Sequence, residues 1–98
     1  MNLARVSAPG PVSAGLHSFD VAIPATATIV SIIGSAQRTQ QGQSEPSAVW
    51  ALPFASTSGP TNNVGISYIV DANQPKVRIN VGQGVGSLSQ IEFLVVYE

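Results

Sequence analysis

The chain has 98 residues, with four basic and five acidic side chains, a formal net charge of −1 and no cysteine. That length suits one domain and excludes a dinucleotide-binding fold or an α/β barrel. The missing thiols exclude disulfides and cysteine-ligated zinc, and four scattered cations exclude the clustered basic surface that nucleic acid requires.

The chain in order reads as short extended segments, because proline and glycine punctuate it throughout and apolar residues between them alternate with period two. Residues 1–15 read as an N-terminal arm, with Pro9 and Pro11 on either side of Gly10 removing backbone donors there. Leu16 to Ile23 predicts a strand with Phe19, Val21 and Ile23 on one face, ended by Pro24. Ala27 to Ser35 (ATIVSIIGS) is nearly continuously apolar, which predicts a strand covered on both faces. A polar loop follows over Arg38 to Ser47.

Trp50, Leu52 and Phe54 alternate within Ala48 to Phe54, and Pro53 places this strand at a sheet edge or ends it. Ala55 to Asn63 has turn composition. Val64 to Val70, a hairpin loop over Asp71 to Pro75, and Lys76 to Val81 predict a hairpin, its second strand dry at Val77, Ile79 and Val81 and wet at Lys76, Arg78 and Asn80. A glycine-rich connection over Gly82 to Gln90 leads into a last strand, Ile91 to Tyr97. Leu94 and Val96 fall on its second face, where either another layer or a neighbouring subunit must cover them. Together these segments predict an all-β domain over residues 16–98: a six- to seven-stranded antiparallel β-sandwich or small jelly roll, preceded by the extended arm.

Catalytic chemistry finds little to stand on. His17 is the single histidine, and in a strand its side chain and that of Ser18 point to opposite faces, which defeats a nucleophile–base hydrogen bond. Asp20, Glu45, Asp71, Glu92 and Glu98 are dispersed and form no calcium loop. Gly82-Gln83-Gly84-Val85-Gly86-Ser87 lacks both the third dinucleotide glycine and the lysine of a P-loop. The expectation is no enzyme, no metal and no cofactor. No apolar run reaches the ~18–20 residues of a membrane-spanning helix, and Met1 to Leu16 lacks the apolar centre of a signal peptide. Synthesis in a cytoplasm, without membrane insertion, follows as an expectation. Trp50 or Tyr68 could offer a ring to a sugar, with Asn62 and Asn63 as neutral hydrogen-bonding neighbours, but their in-phase positions favour the core.

The run Phe19-Asp20-Val21-Ala22-Ile23-Pro24, the strand ATIVSIIGSA with its polar loop, and the closing Ile91-Glu92-Phe93-Leu94-Val95-Val96-Tyr97-Glu98 resemble small β-sandwich virion proteins of tailed bacteriophages. These include capsid decoration proteins and H-type-lectin-like tips of tail fibres; the likeness spans roughly Leu16 to Glu98 and is one of pattern. It implies a homotrimeric structural protein located in the virion, partnered by the major capsid protein or a tail protein. The alternative it implies is a receptor-binding tip that holds a host surface glycan. A long shaft is missing, which favours a capsid decoration or cement protein. On that reading the arm, through Leu3, Arg5, Val6, Pro9, Pro11 and Val12, is the attachment element, and Leu94 and Val96 lie between subunits. Sparse charge supports permanent partners, since 9% charged residues against roughly 25% in ordinary soluble domains leaves apolar surface with little to keep copies apart.

Overall fold

A computed structural model describes residues 1–8, 10–39, 48–54 and 63–98. Seven strands run β1 (Asn2–Ala8), β2 (Gly15–Asp20), β3 (Ile29–Thr39), β4 (Ala48–Leu52), β5 (Val64–Asp71), β6 (Gln74–Val81) and β7 (Ser87–Tyr97). They form two antiparallel sheets, β1-β7-β3-β4 and β2-β6-β5, and the predicted all-β sandwich is what is found. The core between the sheets is built from Val6, Leu52, Val64, Val77, Ile79, Val81, Leu88, Ile91, Phe93 and Val95, all buried.

Within the predicted arm, residues 2–8 are a strand of the larger sheet. Asn2–Ala8 pairs with β7 along its whole length, from Asn2 opposite Tyr97 to Ala8 opposite Ile91. Alternation explains it: Ala4, Val6 and Ala8 turn inward and Val6 is buried, while Leu3, Arg5 and Ser7 turn outward. Two small alanines flanking one valine make a weak apolar signature, so the strand hides in the sequence. Val12 then bridges Leu88 through reciprocal backbone bonds of 2.8 and 3.0 Å. Of the residues assigned to attachment, Leu3 and Arg5 are exposed on the sheet, Val6 is core, Val12 is half-buried, Pro11 is exposed, and Pro9 lies outside the described residues.

Two bulges set the phase of the central strands. Opposite Tyr97 and Val96 stand Ile29 and Ser31, so β3 carries one extra residue at Val30; opposite Ser35 and Gln37 stand Glu92 and Ser89, so β7 carries an extra residue near Gln90. Gln90 adopts φ 52° there. Each bulge lets two residues three apart, Ile29 with Ile32 and Leu88 with Ile91, face the same core. The last strand therefore starts at Ser87, earlier than the glycine-rich stretch suggested. The predicted loop over Asp71 to Pro75 shrinks to the two residues Ala72 and Asn73, whose φ angles of 48° and 65° match a type I′ hairpin turn. The segment from Ala27 is not covered on both faces: β3 begins at Ile29, and Ile33 is 56% exposed. Pro53 follows the last residue of β4, which is an edge strand, as its position implied.

Candidate functional site

The two outer faces of the sandwich differ in how their aliphatic side chains are grouped. On β2-β6-β5 most outward side chains are polar: Asp20 pairs with Lys76 at 3.3 Å, and the Ser18, Arg78 and Ser67 row separates the two outward aliphatic residues, Leu16 and Ile69. On β1-β7-β3-β4 the outward rows are Leu3 beside Val96; Arg5, Leu94 and Ile33; and Ser7, Glu92, Ser35 and Ala51. Leu3 is 64% exposed and Ile33 56%, Leu94 and Val96 are half-buried, and Val49 on the margin is exposed too.

Register, not proximity in sequence, assembles this apolar surface. Leu94 is the middle of a three-strand row between Arg5 and Ile33. The attachment residues Leu3 and Arg5 and the subunit-contact residues Leu94 and Val96, which the sequence assigned to separate tasks, therefore share one patch. Ile33 belongs with them; the sequence pointed to one face of Ile29 to Ile33 without singling it out, because ATIVSIIGS looks equally apolar on both sides. Beneath the row lies an open depression of about 260 Å³, walled by Arg5, Glu92, Ile33, Leu94 and Ser35. Ser7 Oγ donates to Glu92 Oε1 at 3.3 Å, whereas Arg5 has no ion-pair partner among the described residues.

The other candidate residues have structural work. His17 Nε2 donates to the Ser13 carbonyl at 2.8 Å, since a carbonyl can only accept, and His17 and Ser18 lie on opposite faces of β2, as expected of a strand. The residues Gln83–Val85 make one 3-10 turn that drives Val85 into the core. Its carbonyls face a cation: Arg38 Nε donates to Val85 O at 2.7 Å and Nη2 to Gly84 O at 3.4 Å. Carbonyl oxygens so presented repel a phosphate. No group of three metal-ligating His, Asp or Glu side chains occurs among the described residues.

Trp50 stacks on Phe54, ring centroids 4.1 Å apart, with the Arg38 guanidinium 5.0 Å over the indole. Ring surface occupied in this way is poorly placed to receive a sugar. Asn63 turns its backbone carbonyl to the Gly82 amide at 2.9 Å, and Asn62 lies outside the described residues. The Arg38–Trp50–Phe54 pile was not anticipated, although period two from Gly34 through Ala36 does place Arg38 on the inward face. Arg38→Met should lower stability by about 1–3 kcal/mol, because two carbonyls and an indole lose their cation. Arg38→Lys should recover little of this, since an ammonium supplies neither the fork nor the stacking plane. Urea unfolding followed through Trp50 fluorescence checks both; a neutral Arg38→Met would remove the pile from the account of stability.

The chain matches no protein-family model, and neither a curated protein nor a solved structure shows significant similarity to it.

Proposed function

We propose that this chain is a non-enzymatic structural protein of a tailed-phage virion: a homotrimeric capsid decoration or cement protein that assembles through the outer face of β1-β7-β3-β4. One observation carries the proposal: Leu3, Ile33, Leu94 and Val96 adjoin one another on that face, whereas Leu16 and Ile69 on the other outer face are separated by a polar row. Contiguous exposed apolar surface on a small domain marks a contact surface, and a permanent assembly is where such a surface ceases to meet water. The patterns quoted for phage sandwiches supply the biological setting. The sheet face is assigned to contact between copies, because Leu3 and Arg5 lie on a paired strand and not on a free arm.

The alternative, a receptor-binding tip of a tail fibre, draws less support, since Trp50 is stacked on Phe54 beneath Arg38. Density maps of intact virions, compared with particles lacking the gene, test the assignment. The expected result is three-fold density on the shell that disappears with the gene. Density at the tail tip would favour the receptor reading, and purified virions without the chain would refute both.

A further inference from the structure

The structure shows an apolar face but, by itself, no occupant for it; the two charges on that face narrow the choice. Arg5 and Glu92 have opposite sign and wall the same depression. Their rows are adjacent, Arg5 opposite Leu94 and Ser7 opposite Glu92. They nevertheless form no ion pair with each other. Any partner that dries this face must match both charges, because a charge buried without a counterpart is strongly unfavourable. A wholly apolar partner strands Arg5 and Glu92 together. A polyanion suits Arg5 and is repelled by Glu92. A second copy of the chain brings a carboxylate, a guanidinium and apolar side chains in equal measure.

We infer that the outer faces of β1-β7-β3-β4 cover one another between copies of this chain, with Arg5 of one copy set against Glu92 of the next. The surface is of the size of a small interface. Four strands at ~4.8 Å spacing and seven residues at ~3.3 Å each give a projected area of about 440 Å². That slightly exceeds the ~400 Å² per side of an incidental contact and, before side-chain relief is added, is about half the ~800 Å² per partner of a standard interface. The low net charge of −1 opposes association only weakly. The inference rests on the reading that the chain self-assembles, but not on where the assembly resides.

Charge reversal in the full-length protein tests it. Arg5→Glu and Glu92→Arg should each weaken self-association at least about tenfold by sedimentation velocity, since either sets like charges together at the contact. The circular dichroism should not change, because both side chains are exposed. The double variant Arg5→Glu/Glu92→Arg should assemble like the parent. Mixing the two single variants should restore association in part, above that of either alone, because two of the three contacts in a mixed trimer then join opposite charges. The mixture separates a contact between copies from repulsion within one chain. An oligomeric parent whose variants associate unchanged, or whose mixture associates no better than either variant alone, overturns the interface and leaves self-assembly standing. A monomeric parent overturns both, and a monomer that instead floats with lipid vesicles assigns the face to a membrane surface.

Discussion

Phe93→Ala is expected to lower the free energy of unfolding by about 3–5 kcal/mol, a large share of the ~5–15 kcal/mol available to a domain of this size. Phe93 stands on β7 between β1 and β3 and is 2% exposed. Its ring lies 6.3 Å from that of Phe19 on the opposite sheet, so it ties the two layers at their centre. Room for the ring comes from Gly34, directly across on β3: a Cβ built there would stand 2.7 and 2.8 Å from two Phe93 ring carbons. Contacts that short force the ring or the strand to move, so Gly34→Ala should itself cost about 1–3 kcal/mol. The two substitutions must then couple. Gly34→Ala with Phe93→Leu should be more stable than the sum of the separate effects predicts, because the smaller side chain vacates the space the methyl needs. Urea unfolding of all four proteins at one fixed concentration measures the coupling, since self-association would otherwise shift each midpoint by mass action. Additive effects would mean that Gly34 does not seat the ring.

Removing residues 1–8 is expected to abolish cooperative folding, not merely a docking contact. β1 is the outer neighbour of β7, the strand that also pairs with β3 at the middle of the larger sheet. Without it the backbone of β7 loses one ladder, and the core loses Val6 with the inward faces of Ala4 and Ala8. Burial of Val6 alone accounts for about 1.5–2 kcal/mol, and the exposed central strand adds an edge open to aggregation. Solubility, near-ultraviolet circular dichroism and an amide NMR spectrum of the truncated chain provide the check. A truncated protein with parental dispersion and stability would restore the free-arm description of these residues.

How far the amino-acid sequence disclosed this arrangement depended on side-chain contrast. β6 was fully legible, since Val77, Ile79 and Val81 alternate with Lys76, Arg78 and Asn80 and only one phase buries the valines. For β4, Pro53 alone pointed to an edge position or a strand end, and the strand both lies at the edge and stops at Leu52. β1 was not legible, because its inward residues are mostly alanine while Leu3 and Arg5 face out. Strand periodicity also fails across a bulge: Leu88 and Ile91 share the core although they are three residues apart. The candidate site was half visible. Leu94 and Val96 stood out because the other phase of their strand already held Ile91, Phe93 and Val95. Ile33 did not, because both phases of its segment are aliphatic, and only register shows which side meets solvent.

Sedimentation velocity of the intact chain, from micromolar to millimolar concentration, bears most directly on the central claim that the face carrying Leu3, Ile33, Leu94 and Val96 is covered by further copies. A discrete species with three times the 10.1 kDa chain mass is the predicted result. A single 10.1 kDa species across the whole range, its Ile33 and Leu94 methyl groups open to a soluble paramagnetic probe, would contradict it.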